Sequence, residues 1–246
     1  MERLVLVHGS VLGGARTWAA QRPLGERYHL VVLDRPGFPP GPDVERVDFD
    51  DHAEWLAQRL LPGDHLCGHS YGGVISLLAA ASRGDLRSLT VIEPPATTVA
   101  CGRPAADGFA AEAAALWRDG PQEPEAFLRR FLRTVGSTWE PPSPLPPDVE
   151  QGARTLLVER GPWEARIPLE RLQATPYPKL VVSGGHHPAF DAICDELEEA
   201  LDAERAILPG AGHTCQAAPG FNAVLLDFLA RASHESLHAR RDERLC

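Results

Sequence analysis

Six short apolar runs, each stopped by glycine or proline, punctuate the chain: LVLVHG (4–9), HLVVLDRPG (29–37), HLCGHS (65–70), LTVIEPP (89–95), KLVVSGG (179–185) and ERAILPG (204–210). Each has the length of a strand whose two faces are both covered, the state that parallel sheets require. Helical patterns follow most of them. Phe190, Ile193, Leu197 and Leu201 recur at spacings of three and four, as do Phe221, Val224, Leu225, Phe228 and Leu229, and such spacing makes one stripe of a helix. Strands alternating with helices predict an α/β fold, doubly wound, with a mainly parallel sheet of about six strands and right-handed crossovers.

One segment breaks the alternation. Between about residues 96 and 175 no strand-like run occurs, only helical patterns at 107–118, 124–135 and 148–160 separated by proline-rich breaks. The PPSPLPP run at 141–147 reads as a stiff spacer. The predicted organisation is therefore a core of residues 1–95 and 176–233, a helical cap at 96–175, and a polar, frayed tail at 234–246.

The chain of 246 residues is long enough for one domain with an insertion. Its net charge of −10 argues against nucleic-acid or anionic-membrane partners. No stretch approaches the roughly 20 apolar residues that span a bilayer, and the N-terminus runs into a strand pattern without a leader. Cys67, Cys101, Cys194, Cys215 and Cys246 are scattered and form no C-x-x-C pair, which predicts a reduced, cytoplasmic protein without a zinc framework.

The strongest chemical signal is Gly68-His69-Ser70-Tyr71-Gly72, set between a strand and the helical pattern Val74, Ile75, Leu77, Leu78. G-x-S-x-G at a strand-to-helix turn holds a serine hydroxyl above the sheet, and the following helix N-terminus faces developing negative charge. At the end of the first run stands His8-Gly9-Ser10. An oxyanion hole needs two converging N–H donors, and Tyr71 and Ser10 are the expected pair. After the last run comes Gly210-Ala211-Gly212-His213, a histidine at the carboxyl end of a strand, where a neutral imidazole can serve as general base.

Together the HG turn, GHSYG, the helical insertion and PGAGH resemble the α/β-hydrolase family over nearly the whole chain, with the family's first two strands missing. The resemblance implies a serine–acid–histidine triad, no cofactor or metal, and a small-molecule substrate held between core and cap in a monomer or homodimer. His8, Gly9, Gly68, His69 and Gly72 would support the site.

The acid is the open point. In many relatives it lies in a G-x-x-D turn, and Gly184-Gly185-His186-His187 puts His187 there instead. Asp191 falls in a row with Asp195 and Glu198 that reads as a solvated helix face. Asp34 precedes the serine in an Asp-Arg-Pro-Gly turn and suits a loop-holding role. Glu93 ends the strand after the elbow, and some relatives carry their acid there. A charge in an interior position needs a partner, so Glu93 is the expected acid and Asp191 the reserve. Adjacent His186 and His187 diverge, making the pair alone a poor chelate; both are expected to face solvent or a pocket wall.

These residues predict acyl transfer to water on an ester or related acyl bond, through Ser70, His213 and Glu93. Phe109, Trp117, Phe127, Phe131, Trp139 and Trp163 in the cap predict an apolar pocket. A type II thioesterase, a non-hydrolytic lyase or cyclase, and a non-catalytic ligand-binding descendant are the alternatives on the same fold.

Overall fold

The computed structural model describes residues 1–242. Six strands build one sheet: β1 (Arg3–Val7), β2 (His29–Leu33), β3 (His65–His69), β4 (Ser88–Ile92), β5 (Lys179–Ser183) and β6 (Glu204–Ile207). Their order is β2-β1-β3-β4-β5-β6, and every neighbouring pair is parallel. After β1 the chain leaves to one side to make β2, and after β3 it builds the other side. The carboxyl ends of β1 and β3 therefore border the switch point, where open α/β sheets bind ligands.

The helices, in chain order, begin with α1 (Gly14–Thr17), α2 (Phe49–Ala57) and α3 (Tyr71–Ala80). Between β4 and β5 lies the helical insertion, α4 (Pro104–Asp119), α5 (Pro124–Thr134), α6 (Pro147–Leu157) and α7 (Leu169–Gln173). The series closes with α8 (Pro188–Leu201) and α9 (Phe221–Asp242).

Both faces of the sheet are covered, which is why the strands read as unbroken apolar runs. In β1, Leu4 and Leu6 pack with Trp18, Phe221, Leu225 and Phe228 on one face. Val5 and Val7 point the other way, into Phe49, Leu56, Ile75 and Ile193. The alternation of side chains is intact, but neither face is wet. The edge strands differ: β2 and β6 carry exposed positions at His29, Val32, Glu204 and Ile207, because each has a strand neighbour on one side only.

The proline-rich breaks of the insertion are helix starts. Pro104, Pro124 and Pro147 each open a helix there, as Pro188 does for α8 outside it, where the missing N–H costs nothing and the fixed φ is already helical. This sets α4 three residues earlier than its apolar spacing suggested. The short α7 was not expected, since five residues are too few to show a stripe. The tail departs from expectation as well. α9 runs on to Asp242 through Glu, Leu, Ala and Arg residues, which favour helical backbone; residues 243–246, Cys246 among them, lie outside the described residues. Cys67, Cys194 and Cys215 are buried free thiols and Cys101 is exposed. No helix among the described residues is long and apolar enough to cross a membrane.

Candidate active site

Ser70 stands between the end of β3 and the start of α3 with φ 53° and ψ −124°. Such backbone costs on the order of 1–3 kcal/mol at a side-chain-bearing residue and must be imposed by its surroundings. Two neighbours make the turn possible. A Cβ on Gly68 would lie 2.5 Å from the Gly72 carbonyl oxygen, and one on Gly72 would lie 2.3 Å from the His8 carbonyl oxygen. The Ser70 N–H donates to Ile92 O of β4 at 2.8 Å, pinning the elbow to the sheet. The Tyr71 N–H begins α3 and has no carbonyl within its own helix to reach.

The loop after β6 brings His213 back to this serine. His213 Nε2 lies 2.9 Å from Ser70 Oγ, and Nδ1 lies 3.2 Å from Glu93 Oε2. A carboxylate only accepts, so the ring proton resides on Nδ1 and leaves the Nε2 lone pair for the serine hydroxyl. Glu93 is fully buried one residue past β4, at φ 48°. Its Oε1 accepts the Gly184 N–H at 2.6 Å, and its own N–H donates to Val182 O at 2.9 Å. His69 Nε2–H donates to the His213 carbonyl at 2.9 Å, which holds the loop.

Burial pushes His213 down to about 3, with the His186 and His187 rings adding to it. Burial also pushes Glu93 up to about 7, against the opposing pull of the Gly184 N–H. The first shift keeps the imidazole unprotonated at pH 7, with the Nε2 lone pair free to accept a proton. The second describes a carboxylate short of counter-charge, which an imidazolium formed during reaction would supply.

The other acids are engaged elsewhere. Asp191 is half-buried rather than solvated: its Oδ1 accepts from Ser183 Oγ at 2.9 Å and stands 3.9 Å from Arg205. Asp195 and Glu198 also flank Arg205, at 3.4 and 3.8 Å, so the row that read as a solvated face is organised by one arginine from β6. Asp34 Oδ1 accepts the Gly14 N–H at 2.8 Å, a loop-holding contact.

His186 and His187 are half-buried and border neither of the two cavities described below. His187 is the N-cap of α8, its Nδ1 accepting the Ala189 N–H at 3.2 Å, the task a side-chain oxygen more often performs. His186 Nε2 lies 3.2 Å from Val135 O and its Nδ1 3.7 Å from Glu93 Oε2.

The loop bearing Ser10 rests on a buried network that the sequence did not reveal. Arg35, fully buried, donates through one terminal nitrogen to Gly9 O and Glu159 Oε1, both at 2.9 Å. Ser10 Oγ donates to the other Glu159 oxygen at 2.5 Å. His8 Nδ1–H donates to Gly9 O at 2.7 Å while Nε2 accepts the Arg35 N–H at 2.9 Å. The Arg35 guanidinium also sits over the Tyr71 ring, 4.9 Å from its centroid, and the Tyr71 hydroxyl donates to Arg160 O at 3.0 Å. A charge between an apolar strand and a Pro-Gly turn was the available signal for Arg35. Glu159 had none, since its partners lie 124 and 149 residues away.

Histidines buried here and in the sheet are refused protons by the fold, His8, His52 and His65 among them. Burial and then Arg35 push His8 far down and His52 to about 3, and burial takes His65 to about 4. The unfolded chain protonates each near 6.5. Stability is thus complete above that pH and declines below it, each group contributing a slope of about 1.4 kcal/mol per pH unit. The urea midpoint should fall steadily from pH 6.5 towards 4; a flat midpoint down to pH 5 would contradict this.

Two cavities meet at Ser70. The larger, about 280 Å³, is bounded by Val11, Phe131, Leu132, Trp139, His213 and Gln216. The smaller, about 20 Å³, lies beside Tyr71 among Phe109, Trp117, Phe131, Trp163 and Phe190. Of the cap aromatics expected at the pocket, Phe127 alone borders neither and packs instead on Trp117 with centroids 5.1 Å apart.

Elbow, returning histidine and inserted helices on a parallel sheet define a class, and the chain belongs to the alpha/beta hydrolase family, whose model matches residues 4–224. A relative from Pseudomonas putida, the dihydrolipoyllysine-residue acetyltransferase component of the acetoin cleaving system, is 27% identical over 249 residues, covering 93% of this chain and 63% of the relative. The chain thus spans less than two thirds of that protein. Among solved structures, MenH from S. aureus superposes with a TM-score of 0.69 at 20% identity, over 94% of both chains. A thermophilic esterase from Thermogutta terrifontis, with malate bound, gives 0.62 at 21% identity over 94% of this chain and 90% of that one. At such identities the likeness is one of fold.

Proposed function

We propose that the protein is a serine hydrolase that cleaves a carboxylic ester or related acyl bond of a small, largely apolar molecule. The observation that carries this reading is the line from Ser70 Oγ through His213 (2.9 Å) to Glu93 (3.2 Å), hung on a strained elbow. Ser70 attacks the acyl carbon as His213 Nε2 takes its proton. The imidazolium is stabilised by Glu93 and then protonates the leaving alcohol. Tyr71 and Ser10 N–H groups receive the oxyanion, each such donor being worth roughly 10²–10³ in rate. Water, deprotonated by His213, releases the acid from the acyl-enzyme.

A fluorophosphonate probe tests this directly. It should label the native protein at Ser70 and leave Ser70→Ala untouched. A folded protein that resists labelling would speak for the ligand-binding alternative.

The two cavities support a division of the substrate, with the acyl group in the small aromatic pocket beside Tyr71 and the alcohol in the larger one. Each surplus methylene in a closed pocket costs about tenfold or more in kcat/KM. p-Nitrophenyl acetate should therefore outperform the octanoate, and Trp163→Ala should move the optimum to longer acyl chains. An unaltered optimum in Trp163→Ala would assign the acyl group to the other cavity.

A further inference from the structure

We propose that Glu93 Oε2, His186 Nδ1 and His213 Nδ1 form a site for a divalent zinc ion whose occupation switches off the Ser70–His213 pair. The inhibitory effect rests on the hydrolase reading; the binding does not.

Glu93, His186 and His213 each offer one ligand atom, and the three atoms lie within 4.8 Å of one another. Zinc bonds of 2.0–2.1 Å place neighbouring ligand atoms of a tetrahedron about 3.4 Å apart. Glu93 Oε2 stands 3.2 Å from His213 Nδ1 and 3.7 Å from His186 Nδ1, which brackets that edge.

His186 supplies a lone pair with nothing to accept. Its Nε2 faces the Val135 carbonyl and so carries the ring proton. Its Nδ1 is buried without a hydrogen-bond partner and points towards a carboxylate oxygen, an acceptor facing an acceptor. A cation between them satisfies both. The supports that metal ligands need on their far sides are present: His186 Nε2–H on Val135 O, and Glu93 Oε1 under the Gly184 N–H. Two imidazoles and one carboxylate, with a water as fourth ligand, suit zinc better than magnesium or calcium. His187 takes no part, since its Nδ1 is committed to the Ala189 N–H.

The effect on chemistry follows from one proton. With the cation on His213 Nδ1, the proton now held there moves to Nε2 of the same ring, and none leaves the molecule. Nε2–H then faces Ser70 Oγ as a donor and cannot accept its proton. The carboxylate and the two neutral imidazoles leave the occupied site with a charge of about +1.

Titration calorimetry with zinc chloride tests the site on the native protein, Ser70→Ala and His186→Phe, the last keeping a ring against Phe190. One zinc per chain should bind the native protein and Ser70→Ala, and affinity should drop about tenfold or more in His186→Phe. Should the phenylalanine variant not fold, His186→Gln gives the same reading. Zinc should also inhibit p-nitrophenyl acetate hydrolysis by the native protein, reversibly with EDTA. His186→Phe, compared with its own zinc-free rate, should need about tenfold more zinc or beyond. No binding, or equal affinity in the native and His186 variants, would overturn the proposal. Zinc binding through His186 without ester hydrolysis would sink the hydrolase reading and leave the site standing.

Discussion

Glu93→Gln should lower kcat/KM for p-nitrophenyl acetate by about 10³–10⁴ while leaving the urea midpoint little changed. The amide has the shape of the carboxyl group but no charge, and its NH2 can face His213 Nδ1. A donor there drives the ring proton to Nε2 and deprives Ser70 of its base. The neutral side chain also withdraws the partner for the imidazolium that forms during attack. Because burial already pushes the Glu93 carboxyl up to about 7, folding loses no favourable solvation on neutralisation. Asp191→Asn is the matched control. Its contacts run to Ser183 and Arg205, so turnover should remain within about threefold of the native rate. A large loss in Asp191→Asn with little in Glu93→Gln would reverse the assignment of the acid.

Arg35→Met should destabilise the protein by about 3–5 kcal/mol, because it leaves a buried carboxylate without its cation. The side chains of Arg35 and Glu159 are 0% and 1% exposed. Burial alone pushes the Glu159 carboxyl up, and Arg35 is the largest influence opposing that rise. Without the guanidinium, Gly9 O also loses a donor and Ser10 Oγ faces an uncompensated carboxylate. The loop that should present the Ser10 N–H then loses its support, and kcat/KM should fall together with stability. Arg35→Met combined with Glu159→Leu removes both charges and should recover much of the stability but not the activity. A single-variant cost below about 1 kcal/mol in urea denaturation would show that the pair contributes little.

Much of the fold was open to reading because its local rules are strict. Interior parallel strands are buried on both faces, so Leu4–Val7 and Leu180–Val182 carry no polar alternation and announce themselves as runs. Stripes at three and four residues marked α8 and α9. Where an element is short or its sequence polar the signal faded: α7 has too few residues for a stripe, and HESLHARRD at 234–242 carries no apolar repeat. In the site, GHSYG gave Ser70, because the crowding at Gly68 and Gly72 is a property of a few consecutive residues. The histidine of PGAGH followed from its place after the last strand. The doubled histidine was harder, since capping α8 and approaching Glu93 are tasks set by neighbours distant in the chain.

From the chain alone came the alternation of strands and helices, the inserted helical segment and the serine at a tight turn. All of these depend on periodicity and on steric limits within a few residues. Only the tertiary structure decided which carboxylate meets His213, since Glu93 lies 120 residues from it and both Glu93 and Asp191 were locally plausible. It alone decided that Arg35 and Glu159 pair beneath Ser10, and that His186 turns an unpartnered nitrogen towards Glu93. Those outcomes follow from where separate strand ends converge at one edge of the sheet, and no short-range pattern in a sequence encodes that meeting.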